Sequence, residues 1–267
     1  MGKEAAKTQM PKFSANLSTL FTEYDFLDRF KAAADAGFMG VEVQFPYEVE
    51  ASAIAEKLTQ TGLQMVLFNL PPGQWDKGDR GLGALPGREK ELDKGFDQAL
   101  AYADILKCRQ LHVMAGVKPK NLDNTAYLSA FGANLRRLAP RAEAAGCHLM
   151  LEPINSRDVP GYVLSRTEDA LSLIKAIDRD SIRLQLDIYH RQVMQGDLIK
   201  TIEAVAPVLG HVQIAGAPGR GEPDRGEIAY GAIFEALQRI GYDGWIGCEY
   251  FPAGRTEDGL GWMKPYL

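Results

Sequence analysis

The sequence predicts a single (β/α)8 TIM barrel, an α/β fold, and three observations carry that expectation. Strand-like apolar runs and amphipathic helical stretches alternate eight times from about residue 12 onward, with no break in composition. Four of the later runs end in a residue able to hold a divalent cation: CHLMLE at Glu152, IRLQLD at Asp187, HVQ at Gln213 and WIGCE at Glu249. These residues stand 35, 26 and 36 positions apart, close to the ~30 residues of one strand-plus-helix unit. A doubly wound sheet would instead want a glycine fingerprint after the first strand, and Ser14-Ala15-Asn16-Leu17 offers none.

Taken in order, FSANLS (13–18) reads as the first strand, and a helix through Phe26, Phe30 and Ala33 ends near Gly37. GVEVQF (40–45), a helix over about 51–60, LQMVLFNL (63–70) and a helix over 88–107 follow. QLHVMAG (110–116) is the fourth strand, and a long helix over 124–145 stops at Gly146. The second half repeats the alternation: HLMLEP and a helix over 167–178, IRLQLD and a helix over 190–206, HVQIA and a helix over 229–240. WIGCEYF closes the series before a short terminal helix near 256–265. Two loops, 70–89 and 215–227, are long and follow strand C-terminal ends, the face where such barrels place binding groups.

The 267 residues are 46% hydrophobic and 24% charged, ordinary for a globular chain and compatible with one barrel domain over 12–267. A formal charge of −5 without a dense basic block leaves nucleic-acid binding unsupported. No apolar run reaches the ~20 residues of a membrane helix. Residues 1–11 are polar, lack an apolar signal core and read as a disordered lead. Cys108, Cys147 and Cys248 are odd in number and form no CxxC pair, so a reducing, cytoplasmic setting is expected. A homo-oligomer is compatible with the sequence, which does not fix the oligomeric state.

In a parallel barrel the strand C-termini meet on one face, so the four strand-ending residues converge. Strand residues alternate in direction, and parity puts Glu152 with Met150, Asp187 with Gln185, Gln213 with His211 and Glu249 with Gly247. Grouped buried carboxylates without a cation are costly. Three carboxylates and an amide oxygen are hard donors, suited to Mg²⁺ or Mn²⁺. His211 competes with Gln213 as a ligand, but parity sets it one layer deeper. The alternative is that each acid simply pairs with an Arg or Lys in the barrel mouth.

LEPINSRD (151–158), LDIYH (186–190), HVQIAGAPGRGEPDRGEI (211–228) and GCEYFP (247–252), with FNLPPG and RGLGALPGRE in the third loop, resemble the hydroxypyruvate isomerase family of xylose-isomerase-like barrels. That group includes 2-oxo-tetronate isomerases and, more distantly, sugar 3-epimerases. The resemblance implies a divalent cation on Glu152, Asp187, Gln213 and Glu249, with Glu152 and Glu249 exchanging the substrate proton. The epimerases generally carry His where this chain has Gln213, a departure shared with the hydroxypyruvate isomerase branch. His190 and Asp158 resemble substrate contacts.

The implied reaction is an aldose–ketose isomerisation of a small hydroxy-oxo acid, hydroxypyruvate to tartronate semialdehyde, through an ene-diolate. A substrate carboxylate wants a cationic partner, and Arg220, Arg225, Arg80 and Arg88 are candidates, Arg220 foremost. Glu42, Asn69 and His112 are candidates for the pocket floor. The rivals are a 2-oxo-tetronate isomerase or 3-epimerase on the same site, and a sugar-acid binding module without turnover. A phosphosugar enzyme rests only on PGRG in the seventh loop. A multi-zinc nuclease fits poorly with four histidines.

Overall fold

Eight parallel strands close into a ring in sequence order in the computed structural model, which describes residues 10–119 and 122–266. They are β1 Lys12–Asn16, β2 Gly40–Val43, β3 Gln64–Asn69, β4 Gln110–His112, β5 His148–Leu151, β6 Ile182–Asp187, β7 Leu209–Ile214 and β8 Trp245–Cys248. Helices α1 Arg29–Asp35, α2 Ala51–Thr61, α3 Glu89–Leu106, α4 Asn124–Ala144, α5 Thr167–Ile177, α6 Ile188–Met194, α7 Leu198–Val205 and α8 Tyr230–Arg239 connect them. The expected lead over 1–11 falls outside the described residues except for Met10 and Pro11. No helix among the described residues is long and apolar enough to cross a membrane.

One helix differs from expectation. The helix expected over 190–206 is split into α6 and α7. Gly196 and Asp197 take left-handed backbone (φ 61° and 51°) and end one helix before the next starts. The expected short terminal helix is Glu257–Tyr266, of 3-10 type, because Gly259, Gly261 and Pro265 disfavour continuous i→i−4 bonding. Strands β4 and β8 also end earlier than the apolar runs suggest. The chain beyond β4 is spent on loop bridges, Gly81 to Ala115 and Val117 to Tyr162.

Period-two alternation sorts most strand positions into an outer and an inner face, and a register shift between β2 and β3 at Val41–Glu42 lets the adjacent Val66 and Leu67 join one cluster. Outward residues such as Phe13, Ala15, Val41 and Leu149 join the helices in one large apolar shell. Inside the ring, Val66, Leu67 and Met150 pack with Trp245 as a small separate plug. Gly40 makes room for that plug, since a Cβ there would lie 2.7 Å from the Trp245 ring. Along the inner face the chemistry then turns polar toward the strand C-termini: Gly40, Glu42, Gln44 on β2 and beyond, and Trp245, Gly247, Glu249 on β8 and beyond. This gradient puts the polar groups at one end of the barrel. The three cysteines are buried and unpaired, and burial pushes the Cys108 thiol up to about 12, away from reactive thiolate.

Candidate active site

Glu152 follows β5, Asp187 ends β6 and Glu249 follows β8, and their side chains are only 6%, 0% and 7% exposed. Arg220, from the loop after β7, brings Nη2 to 3.5 Å from Asp187 Oδ2 and 3.4 Å from Glu249 Oε1. Gln44 donates from Nε2 to Glu249 Oε1 at 2.6 Å. Three buried carboxylates therefore face one guanidinium. Burial, reinforced by repulsion from Glu249 and Asp187, holds the Glu152 carboxyl well above the usual range. Burial raises Glu249 too, although Arg220 pulls it the other way.

Beneath them lies a hydrogen-bonded layer centred on Glu42. Its carboxylate accepts from Ser14 Oγ at 2.7 Å and Gln213 Nε2 at 2.9 Å, and His211 Nε2 lies 2.7 Å from it. The bond from Gln213 Nε2 to Glu42 sets which end of the Gln213 amide points down. Gln213 Oε1 is thereby turned away from Glu42 and accepts from Gln185 Nε2 at 2.6 Å. His211 is fully buried against Glu42, below Gln213 as parity predicts. Gly247 is needed here: a Cβ would sit 2.2 Å from Glu42 Oε1.

The two histidines at the mouth carry different tautomers. Asn155 donates from Nδ2 to Asp158 Oδ2 at 2.9 Å and accepts the Asp158 backbone N–H on Oδ1 at 2.8 Å. Its amide orientation is thus set, and its Nδ2, 2.7 Å from His190 Nδ1, must donate there. The His190 proton then sits on Nε2, which faces Asp187 Oδ2 at 3.7 Å and Glu152 Oε1 at 3.9 Å. His112 Nδ1 lies between two acceptors, Asn69 Oδ1 at 3.2 Å and Glu152 Oε2 at 3.3 Å, and so carries the proton. Its buried Nε2 is left without a partner. Burial lowers His112 to about 3 and His190 to about 4, so both rings are neutral near pH 7. One offers a donor and the other an acceptor.

Glu152, Glu249, Gln213, His190, His112, Asp158, Arg220 and Arg80 all open onto one cavity of about 270 Å³. Asp187 lies behind it and reaches it through His190 and Arg220. Asp158 accepts from the Tyr189 hydroxyl at 2.7 Å as well as from Asn155. These donors outweigh its partial burial and hold its carboxyl below the usual range. Arg157 pairs with it only loosely, at 3.7 Å. Of the other loop arginines, Arg88 is tied to Asp79 and Glu91, and Arg225 is an exposed partner of Glu222.

Single ligand atoms of Glu152, Asp187 and His190 lie within 4.8 Å of one another, a buried cluster that can hold a divalent cation. The donor set fits such an ion by charge, since three carboxylates meet one guanidinium. His190 is the poorest member of that cluster. With Nδ1 accepting from Asn155, its Nε2 bears a proton and has no lone pair for a metal. The oxygens of Glu152, Asp187, Glu249 and Gln213 are the donors that remain.

The xylose isomerase-like TIM barrel family model matches residues 30–266. This chain belongs to that family. Within it, the 2-oxo-tetronate isomerase of Pectobacterium atrosepticum is 48% identical over 97% of this chain and 98% of its own length. The hydroxypyruvate isomerase of Escherichia coli is 42% identical over 96% of this chain and 100% of its own. These full-length relatives put the chain in the hydroxypyruvate isomerase group of the xylose isomerase-like barrels. Among solved structures, a Brucella melitensis protein described as AP endonuclease, family 2, superposes with a TM-score of 0.94 at 47% identity, covering 96% of this chain and 99% of that one. The D-psicose 3-epimerase of Clostridium cellulolyticum H10, at 20% identity, TM-score 0.77 and coverage of 93% of this chain and 89% of that one, shares the fold.

For this xylose isomerase-like barrel, sequence reasoning did not single out Gln44, Asn155, Gln185 or Tyr189 as site residues. Gln44 could have been found, because it follows Glu42 by two and so shares its inward face. Asn155 and Tyr189 lie in loop or helix, where parity gives no signal.

Proposed function

We propose that this protein is an aldose–ketose isomerase of small hydroxy-oxo acids, interconverting hydroxypyruvate with tartronate semialdehyde or a four-carbon 2-oxo-tetronate with its isomer. Its 48% and 42% identical relatives carry the names of those two activities. The observation that carries the chemistry is the pair Glu152 and Glu249, buried carboxylates from β5 and β8 that open onto one cavity beside Arg220.

In this reading one glutamate removes the proton from the carbon bearing the hydroxyl. The C–H electron pair becomes the C=C bond of an ene-diolate, and the former carbonyl oxygen takes up the negative charge. The same or the facing glutamate then returns a proton to the neighbouring carbon, while the proton of the original hydroxyl passes to the former carbonyl oxygen, so that the first carbon becomes the new carbonyl and the second bears the hydroxyl. Arg220 and the His190 Nε2–H sit where they can steady the charged oxygens, and His112 Nε2 can accept a substrate hydroxyl. Asp158 holds the Asn155–His190 arrangement and borders the bound substrate. Glu152, Asp187, Gln213 and Glu249 would hold the divalent cation, Mg²⁺ or Mn²⁺ by donor type. When bound it would polarise the substrate carbonyl and keep the glutamates ionised.

A nuclease reading, prompted by the name of the Brucella relative, lacks donors here. His148 is exposed at the start of β5 and His211 is engaged by Glu42, which leaves two histidines at the site.

A substrate panel tests the assignment. Hydroxypyruvate or a 2-oxo-tetronate is expected to exceed neutral ketoses in kcat/KM by about tenfold or more. A neutral ketose epimerised at C3 in preference to every oxo acid would replace the isomerase reading with the epimerase one.

The pH dependence of cation binding follows from the site electrostatics. In the metal-free protein Glu152 and Glu249 keep their protons to unusually high pH, and a cation must displace them. Mn²⁺ affinity, measured by titration calorimetry, is therefore expected to climb between about pH 6 and pH 8, with proton release largest at the acid end. Affinity that is flat across this range contradicts the ligand set.

A further inference from the structure

Two arginines line the cavity, and they are not equivalent. Arg220 is compensated by carboxylates of Asp187 and Glu249 within 3.5 Å. Arg80, in the long loop after β3, has no carboxylate within 4 Å among the described residues. Its contacts are carbonyls and a ring: Nη1 donates to Trp75 O at 3.1 Å and Asp79 O at 2.7 Å. The guanidinium carbon lies 3.8 Å from the centre of the Trp75 indole. Nε and Nη2 make no hydrogen bond in the described structure.

The loop is built to hold that side chain in place. Arg88 grips both oxygens of Asp79 at 2.8 Å, and Asp79 Oδ2 in turn accepts the Gln74 backbone N–H at 2.7 Å. Gly81 packs against Met114, where a Cβ would come within 2.3 Å of that residue. Gly83 and Ala84 donate to the carbonyls of Met114 and Ala115. The turn that carries Arg80 is thus pinned on both sides.

The charge count points the same way. A divalent cation with Arg220 offsets Glu152, Asp187 and Glu249, and the remaining carboxylate on the cavity wall, Asp158, is engaged by Asn155, Tyr189 and, loosely, Arg157. Arg80 adds a positive charge at the rim with free donors. β3 and β7 are diametrically opposed in an eight-stranded ring, so Arg80 and Arg220 enter from opposite sides of the mouth.

We propose that Arg80 binds the substrate carboxylate and selects oxo acids over neutral sugars, while Arg220 serves the oxygens of the reacting carbons. This rests on the oxo-acid isomerase reading. A guanidinium with two open donors matches a carboxylate, and its stack on Trp75 restricts it before substrate arrives.

The test compares hydroxypyruvate with dihydroxyacetone, which has a neutral CH2OH in place of the carboxylate, in the wild-type enzyme and in Arg80→Gln and Arg80→Lys. Arg80→Gln is expected to raise KM for hydroxypyruvate by about tenfold to a hundredfold, with kcat changed by less than about threefold. The preference for hydroxypyruvate over dihydroxyacetone should collapse by a similar factor. Arg80→Lys, which keeps the charge, should recover part of the loss. An unchanged KM and an unchanged preference in Arg80→Gln overturn the Arg80 assignment alone. Losses in Arg80→Gln that are equal for both substrates, with none recovered by Arg80→Lys, also overturn it, because they mark a loop-folding role. A wild-type enzyme that turns over no oxo acid overturns the isomerase reading beneath it.

Discussion

Replacing Glu152 or Glu249 with glutamine is expected to lower kcat by about a thousandfold while the barrel stays folded. The amide keeps the shape of the side chain and removes one of the two groups between which the carbon-bound proton is exchanged. The fold should tolerate the change because these carboxylates are not there for stability. Glu152 is buried beside Glu249 and Asp187, and its folded-state pKa is raised. Such a group stabilises the protein below its unfolded pKa and loses that contribution as pH rises through the folded value. At alkaline pH the metal-free enzyme therefore bears more of the cost of the charge than at acid pH, and Glu152→Gln removes it. The thermal midpoint of metal-free Glu152→Gln at alkaline pH is expected to equal or exceed that of the wild type. A midpoint many degrees lower would make Glu152 a structural residue. Glu249 is different in that Arg220 and Gln44 lean on it, so its replacement should be closer to neutral for stability.

The largest stability effect is expected one layer down. Glu42→Leu leaves His211, Ser14 and the Gln213 amide facing an apolar side chain in a fully buried setting. Each stranded donor costs on the order of 1–3 kcal/mol, so the loss should reach roughly 3–5 kcal/mol and lower the thermal midpoint by about 10 °C. The same change frees the Gln213 amide to rotate, so cation affinity should fall together with stability. Glu42→Gln separates the two effects, because its amide oxygen can still accept from Gln213. A Glu42→Leu protein with an unaltered melting temperature would show that the layer is held by something other than Glu42.

Much of this was legible in the sequence, for physical reasons that differ between residues. Glu152, Asp187, Gln213 and Glu249 stood out because a strand has period two and a barrel unit has a nearly fixed length. Parity alone set His211 beneath Gln213. Arg220, weighed with three other loop arginines as a partner for a substrate carboxylate, lies against the carboxylates of Asp187 and Glu249, whereas Arg88 and Arg225 spend their charges within their own loops. Other features were illegible. Whether the helix after β6 continues through Gly196-Asp197 depends on backbone angles that the residue types permit without requiring. Asn155 matters through three simultaneous hydrogen bonds to residues three and 35 positions away, and no periodicity announces that. The tautomer of His190, which decides between ligand and donor, exists only once those partners are assembled.

The central claim is that Glu152 and Glu249 transfer a carbon-bound proton of a small hydroxy-oxo acid. It is tested most directly by following hydroxypyruvate isomerisation in D₂O by proton NMR, with wild type, Glu152→Gln and Glu249→Gln each loaded with Mn²⁺ or Mg²⁺ and then stripped with a chelator. The account predicts deuterium appearing on carbon with the loaded wild-type enzyme, and none above background with either variant or after stripping. Deuterium incorporation at the wild-type rate in both single variants would contradict it.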